Sequence, residues 1–149
     1  MAEYYSIATV SGASYGFAKS GDYYVSQNKG VQNSAAVCRV NFELPIAAEV
    51  TFHCINYAES SYDYGILSNI DETLSTSYTA DTNYYHSFKS KQYSYEQDVV
   101  YNMEQGSHFI YVKFRKDTST DRYNDTLQFR ISINFKNLLY KENGIWKPF

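Results

Sequence analysis

Gly106-Ser107-His108-Phe109-Ile110-Tyr111-Val112-Lys113-Phe114-Arg115-Lys116-Asp117, then a polar loop, then Asp125-Thr126-Leu127-Gln128-Phe129-Arg130-Ile131-Ser132-Ile133, is the stretch that decides the fold class. Both arms alternate. Ile110, Val112 and Phe114 fall on one side, with Tyr111, Lys113 and Arg115 opposite. Leu127, Phe129, Ile131 and Ile133 share a side, with Gln128, Arg130 and Ser132 opposite. Such a period of two marks half-buried antiparallel strands. The connection from Thr118 to Asn124 is polar turn chemistry. The expectation is a long hairpin in which Phe114 faces Leu127, a register that puts both apolar sets on one face.

Working outward, the same texture recurs. Tyr4 to Val10, Tyr15 to Ala18, Tyr23 to Ser26, Ser34 to Leu44, Glu49 to Tyr57, Tyr62 to Leu67, Tyr84 to Phe88 and Asp98 to Met103 read as strands between turn signals. Asp71-Glu72-Thr73-Leu74 is expected to open one helical turn, with Asp71 as its cap. No apolar i, i+3, i+4, i+7 series continues for ten residues. Many short strands with almost no helix imply an all-β protein, and long excursions between hairpins favour a jelly-roll-like antiparallel β-sandwich. The division expected is a sandwich over residues 1–135 and a C-terminal hairpin or docking tail over 136–149. In that tail Asn143-Gly144 is a type I′ turn signal. Leu138, Leu139, Tyr140, Ile145, Trp146 and Phe149 crowd apolar surface into a terminus, which suits docking on a partner.

Two cysteines are too few for a disulfide scaffold. A hairpin from Ser34–Leu44 to Glu49–Tyr57 through Pro45-Ile46-Ala47 would set Cys38 opposite Cys54, where a bridge is geometrically conceivable. The preferred reading is two reduced, buried thiols, because nothing points to an oxidising compartment.

The 149 residues are enough for one domain with a core, and they include 17 Tyr and 9 Phe but only 1 Trp. A net charge of -3 without basic clusters argues against nucleic-acid binding. No apolar run approaches the roughly 18 residues of a membrane span. The start, Met1-Ala2-Glu3-Tyr4, lacks the pattern of a secretory leader, so use without the secretory route is expected.

Catalytic signals are poor. His53, His86 and His108 show no metal-ligand spacing, and there is no nucleophile elbow or phosphate-binding glycine loop. A carboxylate pair among Glu59, Asp63, Asp71 and Asp81 would make a small glycan hydrolase, the least favoured reading. Asp117, Asp121, Asn124 and Asp125 offer oxygen ligands for Ca2+ in one loop, although a solvated loop with Asx turns is preferred. The best lead is aromatic. Tyr57, Tyr62 and Tyr64 flank Asp63 and Glu59, and Tyr84, Tyr85, Tyr93 and Tyr95 form a second group among Ser and Lys. Tyrosine rings with polar tips suit a sugar or a protein partner.

Two resemblances follow from quoted stretches. Gly106 to Asp117, followed by Asn124 to Phe129, resembles the closing strands of jelly-roll modules of the carbohydrate-binding and MAM-like kind. That resemblance implies a fold and no activity. The whole run from Ser11-Gly-Ala-Ser-Tyr-Gly-Phe17 through Cys38-Arg-Val-Asn-Phe42, and the ending Tyr140-Lys-Glu-Asn-Gly-Ile-Trp-Lys147, look like minor structural proteins of tailed phages. The implied role is a non-enzymatic accessory or decoration protein of the head or tail, found in the virion after synthesis in the host cytoplasm. Its implied partners are virion structural proteins, host-surface or mucosal glycans, and further copies of itself. The alternative is a free carbohydrate-binding module.

Overall fold

The computed structural model describes residues 4–57, 63–78, 81–89, 95–117, 125–136 and 139–148. Its twelve strands are β1 (Tyr5–Thr9), β2 (Phe17–Ser20), β3 (Tyr23–Ser26), β4 (Ser34–Leu44), β5 (Ala48–Tyr57), β6 (Tyr64–Leu67), β7 (His86–Lys89), β8 (Tyr95–Met103), β9 (Gly106–Lys116), β10 (Thr126–Phe135), β11 (Leu139–Glu142) and β12 (Ile145–Pro148). Ten of them form two five-stranded antiparallel sheets, ordered β1-β4-β9-β6-β7 and β2-β3-β10-β5-β8. The last two form their own two-stranded sheet. The all-β sandwich read from the alternation is what the chain builds.

The alternation was right about faces, but pairing followed a different rule. β9 and β10 are not a hairpin. β9 lies between β4 and β6, where Phe114 pairs with Ala36 and Gly65. β10 lies between β3 and β5, where Leu127 pairs with Asn56. Phe114 and Leu127 belong to one core cluster, facing it from opposite sheets. Period-two patterning states which side of a strand is buried, and two strands satisfy it equally side by side or across a core. The expected hairpin between β4 and β5 fails in the same way. The chain crosses from one sheet to the other at Pro45-Ile46-Ala47. Cys38 therefore pairs with Thr9 and Val112, and Cys54 with Gln97 and Phe129. Both thiols are free and buried, and burial pushes both upward in pKa.

The core is aromatic at its centre. Phe52 packs against Phe42 at 6.2 Å, Tyr101 at 5.6 Å and Phe129 at 5.7 Å between ring centroids. Each large apolar side chain buried there contributes about 1.5–3 kcal/mol. Tyr101 takes part because its hydroxyl donates to the Ser68 carbonyl at 2.8 Å, so no buried polar atom is left over.

A second, smaller cluster lies on the outer face of β4, β6 and β9, where Ala35, Val37, Ile66 and Tyr111 meet Leu74. The connection from β6 to β7 folds back over this face as a strap. Lys113 Nζ donates to Asp81 at 2.6 Å and to Ser75 Oγ at 3.0 Å, with the lysine wholly buried. Arg115 Nε donates to the Tyr78 carbonyl. Here Asp71 departs from expectation. It opens no helical turn, and its φ is +61°. Its carboxylate instead accepts from the Phe109 amide at 2.9 Å and from His108 Nδ1 at 3.0 Å. A short acidic side chain binds nearby backbone N–H as readily in a bend as at a helix start.

In the terminal hairpin Leu139 pairs with Pro148 and Glu142 with Ile145. Asn143 and Gly144 have φ of 52° and 77°, the two positive values that a type I′ turn requires.

Candidate functional site

The tyrosines singled out from the sequence do not assemble into one patch. Tyr57 is half-buried at the end of β5, and Tyr64 lies under Arg115 on the other sheet, 5.1 Å from the guanidinium. Tyr95 packs against the core. Tyr85 is 52% exposed, and its hydroxyl donates to the Val100 carbonyl of β8 at 3.1 Å. Tyr62 and Tyr93 lie outside the described residues.

Asp63 is corrected outright: it is 1% exposed and beyond the reach of a surface ligand. It belongs to a polar layer that closes one end of the core, with Ser26, Asn28, Ser34, Asn56, Lys116 and Asp125. Lys116 Nζ donates to Asp125 at 3.1 Å, and the Asp117 amide donates to Asp63 at 3.0 Å. Burial first, and the adjoining Asp125 second, push the Asp63 carboxyl up to about 7. The same layer alters the calcium reading. Asp125 points inward to a lysine instead of outward to a loop cation. Asp117 follows β9 and lies beside Asp63. Asp121 and Asn124 lie outside the described residues, as do Leu138 and Phe149 of the tail. Leu139, Tyr140, Ile145 and Trp146 are placed on the terminal hairpin.

The concavity with the fullest chemistry lies on the outer face of β4 and β9, beside the strap. It is a groove of about 400 Å³ lined by Arg39, Asn41, Glu43, Asp71, Ser107, His108 and Phe109. That is within the range of small-ligand sites. Strand geometry accounts for it. Arg39, Asn41 and Glu43 alternate with the core residues Val40 and Phe42, so all three face outward. Their row partners on β9 are Tyr111, Phe109 and Ser107. On β1 the corresponding places of Arg39 and Asn41 hold only Ala8 and Ser6.

Most polar groups in the groove are held by neighbours. Ser107 Oγ donates to the Glu43 carboxylate at 2.7 Å. Asp71 is held by Phe109 and His108, and His108 Nε2 also meets the Glu104 carbonyl at 3.0 Å. Arg39 is held differently. Its guanidinium lies 3.9 Å from the Phe109 ring centre, and its buried Nε has no hydrogen-bond partner. Stacking on a ring fixes the plane of the guanidinium, with its Nε turned inward and buried. The floor therefore presents a planar donor (Arg39), an amide (Asn41) and an acceptor (Glu43) along one strand. Sequence reading singles out none of these three as site residues. The available signal was the order of chemistries at successive outward positions of a single strand.

The described residues bring no catalytic constellation together here. His53 lies 2.5 Å from Asp98 and 3.8 Å from Glu96, and its ring neighbour is Tyr23. Among the described residues no group of three metal-ligating side chains converges.

No family model and no curated protein matches the chain. Among solved structures it is similar to the secreted serine protease VesC from Vibrio cholerae, with a TM-score of 0.59 and 9% identity. The match covers 81% of this chain but only 23% of VesC. It is also similar to a family 35 carbohydrate-binding module from Clostridium thermocellum, with a TM-score of 0.44, 12% identity, and coverage of 84% of this chain and 86% of the module. At 9% identity the likeness to part of VesC is one of fold alone, and the antiparallel β-sandwich is read from this chain's own two sheets.

Proposed function

We propose that the protein is a non-enzymatic binding module that takes a hydroxyl-rich glycan segment in the groove on β4 and β9. The observation that carries this reading is the Arg39 guanidinium, held flat on the Phe109 ring, beside Asn41 and Glu43 in one groove. A guanidinium edge donates to two neighbouring hydroxyl oxygens at once, and a carboxylate accepts from a third. The carboxylates of Glu43 and Asp71 in the groove favour a neutral polyol over an anion. The phage-like stretches of sequence add a setting to the proposal: an accessory position on a virion, attached through the Leu139–Pro148 hairpin to a structural protein of the particle. A free carbohydrate-binding module is the alternative setting, and it needs no particle partner.

The test is a glycan array probed with the wild-type chain and with Arg39→Ala. The proposal expects binding to neutral glycans that disappears in the variant. Equal binding by both proteins removes the groove from the account. Copurification with virions, present in the full chain and lost on deletion of residues 138–149, tests the setting separately.

A further inference from the structure

Among the described residues, one edge of β10 is left bare over half its length. β5 pairs with all of β10, from Thr126 to Phe135. On the other side β3 pairs only with Gln128 and Phe129. From Arg130 onward β10 has no strand beside it on that flank among the described residues. The core is correspondingly uncovered there. Leu127 and Phe129 are fully buried, whereas Ile131, Ile133 and Phe135, inward-facing on the same strand, are only half-buried. Two adjoining hollows follow this flank. One, of about 500 Å³, is lined by Tyr5, Lys19, Asp22, Tyr23, Tyr24, Arg130 and Ile131. The other, of about 280 Å³, shares Tyr5 and Ile131 and ends at Phe135.

The backbone direction is fixed by two hydrogen bonds. Leu127 N–H points toward β3, because it donates to Ser26 Oγ at 2.9 Å. Lys136 N–H points the other way, to the Ala47 carbonyl at 3.0 Å. Strand amides alternate sides, so the N–H and C=O groups of Ile131 and Ile133 face the bare flank. Exposed edges are usually protected by proline, a bulge or an inward charge. Arg130-Ile131-Ser132-Ile133-Asn134 has none of these.

We infer that this flank is a strand-addition site for an extended peptide of a partner protein, running antiparallel to β10 in line with β3. Main-chain bonds to Ile131 and Ile133 would supply the pairing, and alternate apolar side chains would cover the half-buried isoleucines and Tyr5. In that direction the C-terminal end of the peptide lies beside Arg130 and Lys19, which outnumber Asp22 at that end of the hollow. The occupant is therefore a strand with apolar alternate residues and a carboxylate at its C-terminal end. This site is separate from the Arg39 groove and does not depend on it.

The probe is the acetylated peptide Thr-Val-Thr-Val-Asp, titrated into the isotope-labelled full chain while amide shifts and hydrogen exchange are followed. In the free protein the Ile131 and Ile133 amides are expected to exchange at least tenfold faster than those of Arg130, Ser132 and Asn134, which β5 holds. Peptide should slow Ile131 and Ile133 selectively. The same peptide with N-methylated valines should not, since it lacks the pairing donors. Ile133→Pro, which removes one edge donor while sparing the ladder to β5, should weaken the response in the folded protein. No perturbation of β10 at millimolar peptide, or equal perturbation by the N-methylated form, overturns the inference. Protection of Ile131 and Ile133 that grows with protein concentration alone also overturns it, because the occupant is then a second copy.

Discussion

The groove on β4 and β9 and the bare flank of β10 are both open to solvent, but through opposite parts of the chain. The groove offers side chains: Arg39, Asn41 and Glu43 stand on strands whose backbones are paired on both sides. The flank offers backbone, with Ile131 and Ile133 unpaired on one side. The difference teaches what each surface recognises. A paired sheet face selects by the chemistry of its outward positions, whereas an unpaired edge selects by extended shape first and side chains second. The strap belongs to the first surface alone, because Asp71 lines the groove and Lys113 holds the strap down.

The largest effect expected is at that anchor. Lys113→Ala leaves Asp81 uncompensated and nearly buried, and removing one partner of a buried pair costs roughly 3–5 kcal/mol. Chemical denaturation measures the loss. If the two regions are independent, the variant binds glycan poorly because Asp71 is displaced, yet it still takes up the peptide. Loss of both activities under conditions where the variant remains folded breaks the comparison.

A smaller, pH-dependent effect is expected at Asp63, in the layer that ends both sheets. Its folded value of about 7 lies above the ordinary 3.8. Between these values the unfolded chain releases a proton that the folded chain keeps. This contribution to stability is therefore full below the unfolded value and is lost as pH rises toward the folded one. Melting temperatures taken across that interval should fall with rising pH in the wild type. In Asp63→Asn this component should vanish. An unchanged slope in the variant places the titrating group elsewhere.

Arg39→Ala should cost about 0.5–1 kcal/mol of stability, through the lost stack on Phe109 and the packing of its half-buried stem, and reduce glycan affinity tenfold or more, about 1.4 kcal/mol. Arg39→Lys should not restore it, since an ammonium lacks the planar pair of donors. Calorimetric titration reads both. The smallest effect is expected from deleting residues 138–149. The deletion should hardly move the melting temperature, because β11 and β12 pair only with each other among the described strands. A large drop would assign the hairpin to the sandwich core.

The sequence made faces legible and left neighbours hidden. Phe114 and Leu127 were read correctly as core residues, yet as partners in one sheet, because periodicity carries no information about which strand lies alongside. Asn143-Gly144 was readable because a turn of that type depends on two adjacent residues. Asp63 was not readable. Among tyrosines it looked like a ligand contact, and only the meeting of Lys116 and Asp125 from other strands shows why it is buried. Arg39 was hidden for a related reason. Its stacking partner Phe109 lies 70 residues along the chain, on a strand whose place beside β4 came only with the fold.

The most direct measurement follows backbone amide shifts of the labelled full chain during titration with a neutral oligosaccharide chosen from the array. The account predicts perturbations centred on Arg39, Asn41, Ser107 and Phe109, absent in Arg39→Ala, with Ile131 and Ile133 unmoved. Perturbations centred on Tyr57 or Tyr85, or shifts that persist in Arg39→Ala, would contradict it.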